Sequence, residues 1–299
     1  MASLDHESAL MRLFRKINQD RFAWPLRRLH CPVPDDALVL EVGSGGNPYF
    51  RSNILLDAYQ ETQERHWVPL VVDRPTVLGF VEHLPFKDKA FDFVIASHVL
   101  EHSTDPARFL SELQRVAKAG YIEVPDAFME RINPYRDHRL EITVRSGKLI
   151  IRKKPDWRSD PELVELYEHR VKAVVTRQTM PHSPFDFHVR FYWKDTIDFE
   201  VLNEEVSLDW EPPQGGQRAP QRLGVRHHAG QLALKFARNF LSQKKRNGSI
   251  ELMRLLACPT CGGTIKKEGG KELICASCSA RYQVKQEIPH MYQSAQTAI

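Results

Sequence analysis

The 299-residue chain predicts an α/β protein built on an open parallel sheet and finished by a small four-cysteine metal module. Three observations carry that reading. Between residues 37 and 125 short apolar runs alternate with helical segments, the pattern of a parallel sheet covered by helices. A glycine-rich turn, GSGGNP (43–48), leaves the first of those runs. Four of the five cysteines fall between 258 and 278, in two C-x2-C pairs.

The elements follow in order. Residues 1–30 hold an amphipathic helical stretch, with Leu10, Leu13, Phe14 and Ile17 at helical spacing. The strands are expected at ALVLEV (37–42), NILLD (53–57), TVLGFV (76–81), FDFVIAS (91–97) and GYIEVP (120–125). A helix between the last two has Asp105 as N-cap, Pro106 at its first position and Gly120 past its end. Its apolar face is Phe109, Leu110, Leu113, Val116 and Ala117. LEITVRSGKLIIRKK (140–154) reads as a hairpin turning at Ser146-Gly147, with Ile142, Val144, Leu149 and Ile151 on one face. A helix capped at Asp160-Pro161 is expected to bury Leu163, Val164, Tyr167, Val171 and Val174. HVRFYWKDTIDFEVL (188–202) alternates on both sides of a turn at 194–196, and fits an antiparallel hairpin closing the sheet edge.

Composition removes several classes of function. Apolar residues are 42% and charged residues 27%, as in ordinary globular domains, and the net charge of +4 neither demands nor excludes nucleic acid. No run approaches the ~20 apolar residues of a membrane span. The N-terminus carries acids and no apolar leader core, so a cytoplasmic protein is expected.

Glycines after a parallel strand let backbone amides approach a ligand. The dinucleotide pattern G-x-G-x-x-G fails at Pro48, and no Gly-Lys-Ser/Thr of a phosphate loop is present. Glu41 before the turn disfavours a pyrophosphate and suits a cationic amino-acid moiety, which points to S-adenosylmethionine. Asp57, ending the second strand, can grip ribose hydroxyls. Glu41, Asp57, Glu82 and Ser97 all fall at the carboxyl rim of the expected sheet, where open α/β folds bind ligands.

LEVGSGGNP, LLD and VEHLPFKDKAFDFVIASHVLEHSTDPARFLSELQRVAKAGYIEVP, in that order over 37–125, resemble a class I S-adenosylmethionine-dependent methyltransferase. The resemblance implies a Rossmann-like seven-stranded sheet with an antiparallel last strand, and a cofactor lined by Glu41, Gly43, Gly45, Asp57, Glu82, Leu84 and Ser97. Two positions depart from the family: Asn47 replaces its third loop glycine, and Phe80 stands where an adenine-binding Asp is common. Methyl transfer from a sulfonium needs alignment more than side-chain chemistry. A base is needed only for an acceptor that loses a proton, and His98, His102, His138, His182 and His188 are candidates that the sequence does not rank. HVLEH (98–102) could also ligate a divalent metal, for which the sequence places no third ligand. By the same resemblance, residues 126–158 and the N-terminal helix shape the acceptor pocket. Tyr135, Arg136, Asp137, His138, Arg139 and Trp157 would give it a polar-aromatic lining.

Cys258, Cys261, Cys275 and Cys278 form two knuckles whose thiolates suit one tetrahedral zinc, saturated and therefore structural. The stretch ELMRLLACPTCGGTIKKEGGKELICASCSARYQVKQEIPHM resembles the small zinc-ribbon family that includes the activating subunit shared by several eukaryotic methyltransferases. That resemblance implies a ribbon packed on its own methyltransferase domain, at a high effective concentration set by the linker.

The expected division is an N-terminal helical segment (1–36), a methyltransferase domain (37–205) with the 126–158 insertion, a linker and basic helix (206–249), and a zinc ribbon (250–295). In the basic helix Leu232, Phe236, Phe240 and Leu241 are expected to pack on a neighbouring domain. The expected function is methyl transfer to an O or N atom of a small molecule or glycoconjugate. The alternatives are an RNA or translation-factor substrate docked by the ribbon, or a non-catalytic binding protein on the same fold.

Overall fold

The computed structural model describes residues 6–62, 65, 67–212, 236–238 and 240–293. It divides into two compact units. One comprises Met1–Pro34, Ala96–Pro106 and Gly120–Gly216; the other comprises Asp35–Ile95, Ala107–Ala119 and Gln217–Ile299. Among the described residues no helix is long and apolar enough to cross a membrane.

The five expected sheet segments are all strands: β1 (Val39–Val42), β2 (Ile54–Asp57), β3 (Thr76–Leu78), β4 (Phe93–Ser97) and β5 (Ala119–Pro125). The hairpin follows as β6 (Leu140–Arg145) and β7 (Lys148–Lys153), then β8 (His188–Lys194) and β9 (Phe199–Val201). The main sheet runs β3-β2-β1-β4-β5-β8. β1 pairs parallel with β2, and β2 with β3. Both faces of this region are covered, so β1, β2 and β3 are buried at every position, as parallel sheets require.

The helix at Pro106–Val116 buries Phe109, Leu110, Leu113 and Val116, the expected face. Gly120 is the second residue of β5 rather than the cap of that helix. A side chain there would meet the Trp193 indole at 2.6 Å, so glycine admits the tryptophan. The β6–β7 hairpin turns through Ser146 and Gly147, both at positive φ, with Ile142 opposite Ile151 and Val144 opposite Leu149. Ile142, Leu149 and Ile151 are buried and Val144 is exposed.

Three expectations need correction. The main sheet has six strands among the described residues, not seven, because the expected 188–202 hairpin splits. β8 joins the main sheet with Val189, Phe191 and Trp193 buried. β9 leaves it and pairs parallel with β7, Leu149 against Phe199 and Ile151 against Val201, giving a separate β6-β7-β9 sheet. Alternation reveals which face of a strand is apolar but not which neighbour it hydrogen-bonds, and β7 offered an open edge.

The helix at Pro161–Arg170 begins as expected, with Asp160 accepting from Leu163 N at 2.9 Å. It buries only Val164 and Tyr167, while Leu163, Val171 and Val174 are exposed. The helix ends at Arg170 with Val171 as its C-cap, so Val171 and Val174 lie past it, and a π-helical turn follows at Val175–Thr179. In the basic segment Leu232 lies outside the described residues, and Phe236, Phe240 and Leu241 are exposed rather than packed. What holds this segment is polar: Asn247 Oδ1 accepts from Asn53 Nδ2 at 2.8 Å, and Arg246 donates to the Ala37 carbonyl at 3.0 Å.

At the N-terminus, Ser8 caps a helix at Ala9–Lys16, accepting from Met11 N. Met11 is its buried residue, while Leu10, Leu13 and Ile17 are about half exposed.

The C-terminal module is a four-stranded antiparallel sheet, β10 (Ile265–Glu268), β11 (Glu272–Cys275), β12 (Arg281–Lys285) and β13 (Ile288–Pro289). Within the second unit it packs on the sheet that carries β1–β3. Met291 N donates to the Leu78 carbonyl at 2.7 Å, beside a parallel bridge between Leu78 and His290. Lys87 N donates to the Leu255 carbonyl and Ala257 N to that of Pro85. The ribbon thus continues the hydrogen bonding of β3, the last strand of the main sheet.

Candidate functional site

The glycine turn follows β1 because Val39, Leu40 and Val42 are fully buried and the strand cannot continue beyond the left-handed Gly43 and Gly45, at φ of 64° and 56°. A side chain on Gly46 would meet Val68 Cγ1 at 2.4 Å, so this glycine too is required by close approach. Glu41 points back into the turn: its Oε2 accepts from Tyr49 N at 2.8 Å and from the Ser52 hydroxyl. Asp57, at the end of β2, faces the same turn, with Oδ2 accepting from Gly45 N at 2.9 Å and Oδ1 from Tyr59 N at 3.1 Å. Arg65 Nη1 contributes an ion pair to Oδ1 at 2.7 Å.

Glu82 lies in a 3₁₀ turn at Val81–His83, and its carbonyl accepts from Arg108 Nε at 2.9 Å. Leu84 follows, buried, its N–H held by Glu112 Oε2 at 2.8 Å and its carbonyl by Arg115 Nη2 at 2.9 Å. The Glu112–Arg115 pair therefore clamps the 82–86 turn. Phe80 packs edge-on against Tyr59, with ring centroids 5.8 Å apart, and tilted against Tyr292 at 5.6 Å. Tyr292 comes from the C-terminal module and donates its hydroxyl to the Ala58 carbonyl at 2.8 Å.

In that module the four cysteine sulfurs lie within 4.8 Å of one another, and none is in a disulfide. Cys258 Sγ is 3.7 Å from Cys278 Sγ and Cys261 Sγ is 3.5 Å from Cys275 Sγ. Four thiolates about 2.3 Å from a tetrahedral ion stand about 3.8 Å apart, so the set fits zinc with no open position. Tyr282 Oη sits 2.9 Å from Cys258 Sγ, and the neighbouring thiol and desolvation push the phenol pKa up.

The first unit holds a second polar cluster, centred on Glu123 of β5, which is fully buried. Its carboxylate accepts from Arg27 Nε at 2.7 Å and Nη2 at 3.0 Å, from Ser97 Oγ at 3.1 Å and from Tyr121 Oη at 2.5 Å. Arg27 also stacks over Trp24, 3.6 Å from the ring centre. Arg190 donates to the hydroxyls of Tyr121 and Tyr192, both at 3.1 Å. His98, left-handed at φ of 58°, spans Glu101 and Glu123 with 3.4 Å contacts from its two ring nitrogens. Lost solvation works against its charge, but the two carboxylates prevail and raise its pKa to about 9. Burial pushes Glu123 up, and His98 and Arg27 override it to hold the carboxyl well below its usual value.

Beside this cluster stand Glu101, His102 and His138, each offering a ligand atom within 4.8 Å of the others. His138 Nδ1 is 2.7 Å from Glu130 Oε2, whose other oxygen accepts from the fully buried Lys154 at 2.7 Å. His102 Nδ1 is 3.2 Å from the Asp137 carbonyl.

Residues 52–122 match the family described as a methyltransferase domain. Over those residues the chain is similar to that family. No curated protein matches the chain. Among solved structures it is similar to a methyltransferase from Thermotoga maritima, at 22% identity over 39% of this chain and 55% of that one, with a TM-score of 0.28. It is similar, too, to a chain from the complex of the Haloferax volcanii Trm112 methyltransferase activator with its partner, at 20% identity over 46% and 74% of the two chains and a TM-score of 0.29. A methyltransferase from Aquifex aeolicus gives 18% identity, 39% and 73% coverage, and a TM-score of 0.27. The chain thus spans about half the length of the Thermotoga protein, and likenesses at these scores leave the family match and the residues themselves to carry the functional reading.

The sequence-predicted residues divide by unit. Glu41, Gly43, Gly45, Asp57, Glu82 and Leu84 lie in the second unit, where Glu41, Gly45 and Asp57 are joined through the glycine turn. Ser97 lies in the first unit, its hydroxyl committed to Glu123. Of the histidines, His98, His102 and His138 come together around Glu101, while His182 is exposed and His188 packs against Trp24. Of the residues expected to line an acceptor pocket, Tyr135 stacks on His138 at 4.8 Å and Arg136 lies over the Trp157 ring at 5.9 Å. Glu123, Arg27, Trp24, Tyr121 and Arg190 escaped the sequence reading. The available signal was the charged Glu123 inside an otherwise apolar strand, since a buried carboxylate demands partners.

Proposed function

We propose that this chain is an S-adenosylmethionine-dependent methyltransferase whose cofactor is held on the second unit by Glu41, Gly43, Gly45, Asp57, Glu82 and Leu84. The single observation that carries the reading is the convergence of the left-handed Gly43 and Gly45 with the Asp57 carboxylate, 2.9 Å from Gly45 N. A turn without side chains beside β1 and an acid at the end of β2 are what a ribose and an amino-acid moiety need at the carboxyl rim of a parallel sheet. Glu41 adds negative charge beneath the turn, favourable to a sulfonium and an ammonium and unfavourable to a pyrophosphate. Ser97 is omitted from this set because its hydroxyl serves Glu123 in the other unit.

The methyl acceptor in this reading is an O or N atom of a small molecule or glycoconjugate. Its support is the first unit's set of aromatic faces and fixed charges, Trp24, Tyr121, Tyr192, Arg27 and Arg190, which suits hydroxylated, partly charged molecules. The four cysteines hold a structural zinc, and the ribbon (250–295) braces the 37–205 domain along β3.

Calorimetric titration with S-adenosylmethionine tests the reading. Binding by the native chain, weakened at least tenfold in Asp57→Ala while the variant stays folded, is the expected result. Absence of heat at millimolar cofactor overturns it. That outcome would support a cofactor-free binding protein on the same fold, a reading favoured by one observation, the Arg65 guanidinium already seated on Asp57.

A further inference from the structure

We propose that Glu101, His102 and His138 form a binding site for one divalent transition-metal ion, separate from the four-cysteine module. The site is built from the first unit alone. The backbone fixes its two halves against each other, because Arg139 N donates to the Glu101 carbonyl at 2.7 Å and so ties the 100–102 turn to the start of β6 beside His138.

Two independent observations point to a cation. The first is the donor set. A carbonyl can only accept, so the Asp137 carbonyl fixes the proton of His102 on Nδ1 and puts the lone pair on Nε2. Glu130 does the same for His138, and Glu130 is itself held by the buried Lys154. A carboxylate or carbonyl behind the ring is the usual support of a metal-ligating histidine. The second is Glu101. It is only 2% exposed, and its Oε2 accepts no hydrogen bond. The nearest ionic neighbour, His98 Nδ1, is 3.4 Å away. His98 faces Oε1, so Oε2 is the oxygen left for a further cation, and a buried carboxylate oxygen without a partner is costly.

The chemistry of the donors selects the ion. Two imidazoles and one carboxylate suit zinc, cobalt, nickel or iron rather than magnesium or calcium, which prefer all-oxygen shells. Three protein ligands leave at least one coordination position open, unlike the ribbon, which is saturated. The open position would take an oxygen donor, water or the hydroxyl or carboxylate of a substrate, and make it more acidic. The proposal does not depend on the cofactor assignment.

Cobalt is the probe. The full-length protein, carrying one zinc per chain in its ribbon, is titrated with Co²⁺ and followed by visible absorption and metal analysis. One further equivalent is expected, without thiolate charge-transfer bands and without loss of zinc. Glu101→Gln, which preserves shape, should weaken cobalt binding at least tenfold, and His138→Gln should do the same. Should His138→Gln fail to fold, the Glu101→Gln result stands alone as the test. Protein already purified with two zinc ions per chain, falling to one in Glu101→Gln, would support the site equally. Less than a fifth of an equivalent bound at millimolar Co²⁺, or equal binding in native and Glu101→Gln proteins, overturns it.

Discussion

Arg65 Nη1 lies 2.7 Å from Asp57 Oδ1, so the carboxylate proposed to hold a ribose is already paired with a cation. The same guanidinium donates to the Tyr59 carbonyl at 2.8 Å and the Gln60 carbonyl at 2.7 Å, closing the loop after β2 around itself. Cofactor binding therefore competes with an internal partner. Arg65→Met is expected to tighten S-adenosylmethionine binding by about threefold to tenfold, since about 1.4 kcal/mol corresponds to a tenfold change. Calorimetry checks it, and an unchanged or weakened affinity would mean that Arg65 belongs to the bound state.

The glycine turn gives a second prediction. Gly46→Ala places a methyl group 2.4 Å from Val68 Cγ1 and 3.1 Å from the Pro69 carbonyl. The valine must move or the turn must, at a cost of about 1–3 kcal/mol. Denaturant melting should show that loss, together with a cofactor affinity reduced several-fold. Full stability in the variant would show that the 67–71 segment yields without resistance.

Glu123 and Arg27 predict an acid-sensitive stability. Their pair is bidentate and almost entirely buried, at 0% and 8% exposure. Breaking one partner of such a pair typically costs about 3–5 kcal/mol, because the other charge is stranded. Glu123→Gln should lose about that much at pH 7. The folded pKa of Glu123 is depressed, so its contribution is present above the unfolded carboxylate value and lost as pH falls through the folded one. The gap between native and variant melting curves should accordingly narrow in acid. A gap that stays constant down to pH 2 would place the effect in packing instead of charge.

How far these features were legible depends on whether their partners are local. The runs at 37–42, 53–57 and 91–97 became strands because each is apolar at successive positions and bounded by turn residues, information that sits in the segment itself. The Ser146-Gly147 turn was legible for the same reason. Arg27 is ninety-six residues from Glu123, and nothing in either segment names the other. His138 likewise became a neighbour of His102 only through the Arg139 N–H bond to Glu101, which is why HVLEH read as a pair of ligands without a third. The destination of β9 was hidden because its alternating side chains suit two sheets equally well, and hydrogen bonding alone chose β7.

The ribbon supplies the last prediction. Its thiolates hold together two knuckles whose strands contribute little apolar surface: on β10 only Ile265 is buried and on β12 only Tyr282. Metal binding to such a module is folding free energy, of roughly 10–16 kcal/mol for structural zinc. Cys258→Ser or removal of zinc by a strong chelator should therefore unfold residues 258–289. Met291 N would then release the Leu78 carbonyl, and Tyr292 would leave Phe80 and the Ala58 carbonyl, exposing the edge of β3. Both treatments should lower the melting temperature and increase amide exchange at Thr76–Leu78. Tyr292→Ala, with zinc retained, separates the two effects: exchange along β3 should rise only slightly, while the ring contact with Phe80 is lost. If chelation left exchange along β3 unchanged, the ribbon would be a passenger on this sheet, and its hydrogen bonds to Leu78 would contribute nothing to the strand's stability.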